Sequence, residues 1–386
     1  MTQEEALKIM LEWHNVFLTG DAWTWKTYTT HQYIKAMRDK GKTVIVTAPT
    51  WVAAINIWGA TLHSTFRVFW MYPETKNVRT QNISWSQVHA VIIDEISMVW
   101  PDMLDQIEYV LRSCARFHKP FWGIQIILVG DAWQLKPVYA PHTSQDKLEY
   151  RKVIEKYGSE LTFNHAHSYE WFKKLHLTEA KRQKEPEFLQ AINLIRDGFS
   201  QMLDRFKQWV GDEDSIHLMP TNEMVNNYNE TKYHNLVWEE RKFMGYIEWD
   251  FNIKNAITPI DLRLKIGSRV MITKNDNELW VVNGDTGYVE SFSSSWVWIK
   301  LDRFSETLFF RPVVWKQIEY YGSKEIEVWS YTQLPVKLAW AITIHKSQWL
   351  TLENVCVHVT KWMQKDLLYV AVSRASSVEK LFINRL

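Results

Sequence analysis

Apolar runs rich in β-branched residues alternate with helical segments in the first half of the chain, and this alternation restricts the fold more than any other feature. Four such runs occupy residues 16–20, 43–50, 88–97 and 124–131. Continuous apolar strands joined by helices, here predicted over 26–38 and 102–117, are typical of parallel sheets buried on both faces. The sequence therefore predicts an open α/β sheet that binds its ligand at the carboxyl ends of the strands.

The second half of the chain begins and ends with the same α/β pattern. A helix is predicted over 186–196, and a strand near 216 leads into a helix capped by Asn222. Between 240 and 330 the pattern changes to short alternating strands, with an Asn-Gly-Asp hairpin signal at 283–285. We predict two α/β domains, residues 1–178 and 179–386, with an antiparallel β module inserted at 240–330.

Composition excludes several classes of protein. The net charge is +1, so any nucleic acid would have to bind in a local groove rather than to a generally basic surface. Cys114 and Cys356 are the two cysteines and lie far apart without a C-x-x-C pattern, which predicts a reducing compartment, no disulfide and no zinc site. Since no apolar run approaches the ~18 residues of a membrane span, we expect a cytosolic protein.

A phosphate-binding loop is indicated by GDAWTWKT at 20–27, which follows a predicted strand and opens a predicted helix. Backbone amides at a helix N-terminus favour anions. In such a loop Lys26 would reach the β- and γ-phosphates of a nucleotide, and Thr27 would place its hydroxyl on Mg²⁺. Taken alone, the spacing could also arise by chance. The residues expected to bind nucleotide are Gly20, Asp21, Ala22, Trp23, Thr24, Trp25, Lys26 and Thr27.

Polar residues after the next two strands fit the same chemistry. Asp94 would hold Mg²⁺ through water, and Glu95 would polarise the attacking water. Gln134, after the strand that ends in Gly130-Asp131, could sense the γ-phosphate and link it to bound DNA. An acid pair that caps a helix, and a plain turn with a polar side chain, are the alternatives for these positions.

Two arginines in the second half complete this set of candidate catalytic residues. Arg182 and Arg374 follow strand and helix signals that could place them across a cleft between domains. An arginine supplied by a second domain stabilises charge on the γ-phosphate and couples hydrolysis to domain closure. For either arginine alone, a surface salt bridge is the alternative interpretation.

Eight motifs in this order resemble those of the petite-integration-frequency and RecD-like superfamily-one DNA helicases. The resemblance spans the whole chain, and KLAWAITIHKSQ is specific to that group. The motifs are GDAWTWKT (20–27), TAPTWVAA (47–54), TLHS (61–64), DEIS (94–97), GDAWQLKPV (130–138), LTEAKRQ (177–183), KLAWAITIHKSQWLTL (337–352) and LYVAVSRA (368–375).

The resemblance implies two RecA-like motor domains, a Src-homology-three-like β-barrel inside the second, and ATP-driven 5′-to-3′ movement on single-stranded DNA. It implies ATP and Mg²⁺ as cofactors and single-stranded, duplex and forked DNA as partners, for a monomer that works with replication or repair proteins and no membrane. Gln3 takes the place of an adenine-contacting glutamine, and 65–85 that of a wedge that splits duplex; an ordinary surface loop is the alternative for 65–85. The residues expected to contact DNA are Thr50, His63, Thr343, His345, Lys346 and Gln348.

A second class of function stays open at this point. A degenerate phosphate-loop protein that binds nucleotide or DNA without translocating would also carry these motifs. Taking Trp23 and Trp25 literally favours that alternative, because an indole at either position would fill the phosphate site or push the loop open. The complete set of candidate catalytic residues favours the motor.

Tryptophan and glycine have anomalous frequencies in this chain. There are 22 tryptophans and 13 glycines, whereas ~7% glycine would give roughly 27. Several tryptophans stand where the motifs of the family have glycine: Trp13, Trp23, Trp25, Trp51, Trp58 and Trp349. The codon UGA is read as glycine in some bacteria and as tryptophan in common alternative codes. We therefore hypothesise that these positions are glycine in the natural protein, while Trp171 and Trp340 are genuine and Trp133 is undecided.

Overall fold

The computed structural model describes most of the chain. The described residues are 1–20, 24–50, 53–54, 57, 59–66, 68, 83–113, 119–131, 137, 144–159, 162–178, 185–208, 214–248, 256–276, 278–321, 324–348, 350 and 352–386. They form two compact units. The first comprises Met1–Lys184 with Gln317–Val328, and the second comprises Glu185–Lys316 with Trp329–Leu386.

A six-stranded parallel sheet forms the centre of the first unit. Its strands are β1 (Val16–Gly20), β2 (Thr43–Ala48), β3 (Ala60–Thr61), β4 (Val88–Ile93), β5 (Gln125–Val129) and β6 (Lys173–Leu177). The order across the sheet is β3-β2-β4-β5-β1-β6, and every pair of neighbours is parallel. The predicted α/β fold with a parallel sheet is therefore confirmed.

Helices connect these strands as the sequence pattern predicts. They are α1 (Gln3–Met10), α2 (Lys26–Asp39), α3 (Leu62–Phe66), α4 (Pro101–Ser113) and α5 (Ser144–Tyr157). Thr2 and Glu5 form a capping box that begins α1. Pro101 occupies the first turn of α4, where its missing amide hydrogen leaves no hydrogen bond unmade.

A buried polar side chain joins α1 and α2 to the sheet. The Gln125 amide nitrogen donates to the carbonyls of Met10 (2.6 Å) and His14 (2.8 Å), and its oxygen accepts from the Tyr33 hydroxyl at 2.7 Å. Because buried polar groups without partners are costly, this network favours one position of the two helices against β5. Because the His14 carbonyl is one of its acceptors, the network also fixes the segment that precedes β1.

A second parallel sheet forms part of the second unit. Its strands are β7 (Lys207–Gln208), β8 (Ile216–Met219), β19 (Ala341–Thr343), β20 (Val355–Val359) and β21 (Leu381–Arg385), in the order β19-β8-β20-β21-β7. The helices are α6 (Pro186–Arg196), α7 (Asn222–His234) and α8 (Lys365–Val372). The predicted cap was one residue off: Thr221 caps α7 by accepting from the Met224 amide, and Asn222 is the first helical residue.

Antiparallel strands fill the region between β8 and β19. They are β9 (Arg241–Met244), β10 (Tyr246–Glu248), β11 (Asp261–Leu264), β12 (Arg269–Ile272), β13 (Thr286–Phe292), β14 (Val297–Leu301), β15 (Thr307–Phe310), β16 (Val313–Tyr321), β17 (Lys324–Gln333) and β18 (Val336–Leu338). Three sheets result, ordered β15-β14-β13-β12-β18, β11-β9 and β10-β17-β16. Among the described strands, none of the three sheets closes into a barrel.

Within the part of the chain that the structure describes, no helix is both long enough and apolar enough to cross a membrane.

Candidate functional site

The loop that follows β1 begins at a glycine that cannot carry a side chain. Gly20 lies beside Leu177 in the parallel pair of β1 and β6. A Cβ at Gly20 would be 2.5 Å from the Thr24 hydroxyl oxygen and 2.7 Å from the Leu177 carbonyl oxygen. Thr24 is buried, so its side chain has little room to move. The backbone at Gly20 is therefore packed closely against Leu177 of β6 and against Thr24.

Lys26, the first residue of α2, reaches back to the last residue of β1. Its Nζ donates to the Gly20 carbonyl at 3.0 Å. The first four N–H groups of α2 lack partners within the helix, and they lie at the same helix end as Lys26. A positive side chain and helix amides at one point are the arrangement that binds phosphate.

Gln3 is attached to the same loop. Its buried side-chain amide donates to the Thr24 carbonyl at 3.2 Å. This contact connects α1 to the residues just before Lys26. The adenine contact expected of Gln3 stays a prediction.

Asp94 lies at the carboxyl end of β4, where its backbone amide donates to the Thr47 carbonyl at 2.9 Å. Burial raises the pKa of the Asp94 carboxyl to about 6, while a hydrogen bond from the Glu95 amide (2.9 Å) and the Lys26 ammonium act to lower it. Because β1 and β4 are parallel strands of one sheet with β5 between them, Gly20 and Asp94 lie at the same edge, and the Lys26 charge acts on Asp94 there.

Glu95 has a left-handed backbone, with φ of 53° and ψ of 43°. A residue with a Cβ rarely adopts this conformation, and such strain is concentrated at functional sites. The unusual backbone therefore adds an observation, independent of the motif, in favour of a functional role at this position.

Thr27 is exposed in the first turn of α2. Its hydroxyl and the Asp94 carboxylate are both oxygen ligands of the kind that Mg²⁺ prefers. The donor chemistry at this edge therefore fits the predicted metal.

Several predicted site residues lie outside the described part of the chain. They are Asp21, Ala22, Trp23, Gln134 and Arg182. The predicted wedge at 65–85 also falls mostly outside it, since only 65–66, 68 and 83–85 are described.

In the first unit, the residues expected to contact DNA take part in local structure. The Thr50 hydroxyl accepts from the Ala53 amide at 3.2 Å. His63 lies in α3 and is partly buried, and burial lowers the pKa of its imidazole, so the ring is neutral at pH 7. A neutral ring suits stacking on a base better than pairing with a phosphate.

In the second unit, the predicted DNA-contacting residues lie on a short turn after β19. The Thr343 hydroxyl accepts from the Lys346 amide at 3.3 Å. Lys346 is exposed, His345 is partly buried, and Gln348 is buried. The turn therefore presents the Lys346 ammonium to solvent.

Lys337 is a residue that the sequence reasoning missed. Burial, and then the neighbouring Lys346 ammonium, lower the pKa of Lys337 to about 8. Two cations this close favour an anion at the same place, because a phosphate would relieve their repulsion. The signal available was that Lys337 opens the motif that contains Lys346.

Arg374 is buried in this structure and its guanidinium contacts the chain around Gln348. It donates to the carbonyls of Gln348 and Leu350, to the Val370 carbonyl at 3.0 Å and to the Ser373 hydroxyl at 2.8 Å. Arg374 thus joins α8 to the turn that carries Lys346. The role of Arg374 at the γ-phosphate stays a prediction.

Three buried residues of the second unit could in principle hold a metal: His217, Cys356 and His358. However, His217 Nδ1 lies 2.7 Å from His358 Nε2, which is a hydrogen-bond distance. Two nitrogen ligands of one tetrahedral zinc ion would be about 3.3 Å apart. The Tyr228 hydroxyl lies 2.8 Å from His217 Nε2, so the imidazoles belong to a hydrogen-bonded core network.

Comparison with known proteins gives one consistent result. The family described as PIF1-like helicase matches residues 4–208. The chain is 29% identical to the ATP-dependent DNA helicase PIF1 of Emericella nidulans, over 100% of this chain and 60% of that protein's length. It is 32% identical to Bacteroides sp. Pif1 in complex with ADP-AlF4, with a TM-score of 0.86 over 100% of this chain and 91% of that one. Bacteroides Pif1 bound to single-stranded DNA matches at 32% identity with a TM-score of 0.66, over 99% and 91% of the two chains.

Proposed function

The chain belongs to the PIF1-like helicase family, and on that basis we propose that it is an ATP-dependent DNA helicase that moves 5′-to-3′ on single-stranded DNA and unwinds duplex. The helicase family predicted from the motifs is confirmed. The chain spans 60% of the length of its Emericella nidulans relative.

One observation carries this proposal: Lys26 lies over the Gly20 carbonyl and its charge acts on Asp94. A phosphate chain placed at the N-terminus of α2 would therefore meet an ammonium on one side and a carboxylate on the other. Thr27 and Asp94 would hold Mg²⁺, which neutralises phosphate charge when bound. Glu95, held in its left-handed backbone beside Asp94, would orient and deprotonate the attacking water.

The remaining catalytic assignments complete the proposed cycle. Gln134 would sense the γ-phosphate, and Arg182 and Arg374 would stabilise the charge that develops there. Arg374 donates to the Gln348 and Leu350 carbonyls, so a change in its position would be transmitted to the turn that carries Lys346. This is a physical route from nucleotide to the proposed DNA contacts.

DNA would be held by phosphate contacts and by ring stacking. Lys346 and Lys337 provide positive charge for the backbone, and His345 has a ring that burial keeps neutral by lowering its pKa. Thr343 and Gln348 would support this turn, and Thr50 and His63 would act similarly in the first unit. Such contacts are sequence-independent, as a translocating enzyme requires.

The domain organisation proposed is that of two RecA-like motor domains, residues 1–178 and 179–386. Strands β12 to β15 of the open sheet would belong to the Src-homology-three-like module predicted at 240–330, whereas β18 (Val336–Leu338) lies beyond those bounds. We propose a cytosolic monomer that uses ATP and Mg²⁺ on single-stranded and forked DNA.

The test is ATPase activity stimulated by single-stranded DNA. It is measured on the chain as written and on a variant with glycine at 13, 23, 25, 51, 58 and 349. In the active background, Lys26→Ala should lower the rate by roughly 100-fold or more, because charge stabilisation at the phosphates is lost. Lys35→Ala is the matched control, since Lys35 is exposed on the same helix.

The direction of movement is tested with partial-duplex substrates that carry a single-stranded tail at either the 5′ or the 3′ end. Unwinding only from the 5′ tail supports the proposal, and unwinding only from the 3′ tail contradicts the direction. DNA binding without ATPase activity or unwinding, in both backgrounds, would favour the non-translocating alternative.

A further inference from the structure

Left-handed backbone conformation is concentrated at tryptophans in the described part of the chain. Six residues other than glycine have a positive φ there, and four of them are Trp13 (65°), Trp25 (56°), Trp122 (58°) and Trp280 (57°). A residue with a Cβ seldom adopts this conformation, whereas glycine adopts it readily. Six glycines of the same region have positive φ as well.

Exposure agrees with this observation at three of the four positions, whereas Trp122 is partly buried and packs against the core of the first unit. Trp13 is 48% exposed and Trp280 is 80% exposed, which is unusual for so large an apolar group. The buried tryptophans behave differently: none of them has positive φ, and none is more than 7% exposed. These are Trp85, Trp100, Trp315 and Trp340. Backbone conformation and not exposure is the criterion, because three tryptophans are exposed without a positive φ: Trp238, Trp296 and Trp362.

The left-handed tryptophans also lie at turns where glycine is typical. Trp280 lies in a turn closed by two backbone hydrogen bonds between Asp276 and Val281, at 2.8 Å and 2.9 Å. Trp122 stands directly before Gly123, which is itself left-handed. Trp25 precedes the first residue of α2, inside the predicted phosphate loop, and provides no side-chain cap for that helix.

The two other residues with positive φ have reasons that Trp13, Trp25 and Trp280 lack. Trp122 packs against the same core as Phe121, so its assignment rests on its place directly before the left-handed Gly123. Phe121 is completely buried, with edge-on contacts to the rings of Trp171 and Phe172. Glu95 lies at the candidate catalytic site. The contacts of Trp13 and Trp25, to His89 and Tyr28, are made at the surface by side chains that stay more than a third exposed.

We infer that positions 13, 25, 122 and 280 are glycine in the natural protein, encoded by UGA codons that its cell reads as glycine. Motif comparison indicated 13 and 25, whereas 122 and 280 are identified by backbone conformation alone. A single reassigned codon explains why each misfit position carries the same residue. It also explains the excess of tryptophan and the deficit of glycine. The inference does not depend on the proposed helicase activity.

The test is the nucleotide sequence of the gene, together with the mass of peptides from the protein as its own cell makes it. We expect UGA at the four left-handed positions, with peptide masses that show glycine there. We expect UGG at positions 85, 100, 315 and 340. A UGG codon at 122 or 280, or a peptide mass that shows tryptophan there, would overturn the inference.

A substitution pair tests the same point without the gene. In Trp280→Gly the backbone carbonyl that accepts from Arg303 is retained, so the unfolding midpoint should stay the same or rise. Trp315→Gly is the matched control, because Trp315 is 3% exposed and stacks on Tyr331 at 5.6 Å. Its midpoint should fall clearly. A fall for Trp280→Gly as large as that for the control would contradict the inference.

Discussion

Substitution of Gly20 by alanine tests the close packing of the proposed phosphate loop. The added Cβ would be 2.5 Å from the Thr24 hydroxyl oxygen, 2.7 Å from the Leu177 carbonyl oxygen and 2.9 Å from the Leu177 Cβ. The Leu177 carbonyl is backbone in a paired strand, and the side chains of Thr24 and Leu177 are buried, so moving any of these atoms would cost free energy. Overpacking of this kind costs about 1–3 kcal/mol.

The same displacement should reach the nucleotide site. Lys26 Nζ donates to the Gly20 carbonyl, and Gln3 donates to the Thr24 carbonyl, so a shift of the loop moves both side chains. We expect nucleotide to bind roughly tenfold or more weakly, which corresponds to about 1.4 kcal/mol. The assay is titration with a fluorescent nucleotide together with urea unfolding, in a background with glycine at 23 and 25.

Gly41→Ala is the control for the backbone cost alone. Gly41 has φ of +68°, and an added Cβ would meet no atom within 4 Å. Its alanine variant should lose about 1–2 kcal/mol from the left-handed conformation and bind nucleotide normally. If Gly20→Ala matched Gly41→Ala in both stability and affinity, the packing argument for the loop would be refuted.

Two further predictions concern the second unit. Asp302→Ala should destabilise it by about 2–4 kcal/mol in urea unfolding, because the buried guanidinium of Arg269 loses a bidentate partner at 2.6 Å. The control is Asp204→Ala, which removes the exposed partner of Arg385 and should cost at most ~1 kcal/mol. Equal losses of stability in the two variants would contradict this prediction. Burial lowers the pKa of His217 to about 3 and of His358 to about 4, so the unfolded chain takes up protons that the folded pair does not. Stability is therefore greatest above pH 6.5 and is lost as the pH falls from 6.5 toward the folded pKa values of about 3 for His217 and about 4 for His358. At pH 5 the loss is roughly 2 kcal/mol for each imidazole. His358→Gln should reduce the difference between urea midpoints at pH 7 and pH 5, and an unchanged difference would count against this assignment.

Much of the secondary structure could be predicted because its causes are local. The strands at 16–20 and 124–131 appear as β1 and β5, and the helix predicted over 186–196 is observed as α6 with the same bounds. Apolar periodicity and helix-breaking residues act over a few neighbours, so they can be read along the chain. Element ends were less accurate, as the one-residue error at the cap of α7 shows.

The candidate site was predictable in its residues but not in its contacts. Lys26, Asp94 and Glu95 were recognised from spacing and from their places after apolar runs. The buried state of Arg374 and the pairing of Lys337 with Lys346 were not predictable, since each depends on segments that lie next to one another only after folding. Whether the β module closes into a barrel could not be predicted either, because the alternation of apolar and polar residues does not determine which strands pair at the edges of the sheet.

The tryptophans show most clearly what the sequence determined and what only the tertiary structure decided. Composition alone established that glycine was too rare and tryptophan too common, and motif spacing identified misfits within recognised motifs. Only the folded backbone distinguished Trp280 from Trp315, because φ at a turn depends on what closes the turn and burial depends on distant partners. The sequence by itself thus determined which residues and elements are present. Tertiary structure decided which strands are neighbours, which side chains meet and which positions need a residue without a Cβ, because those follow from contacts through space.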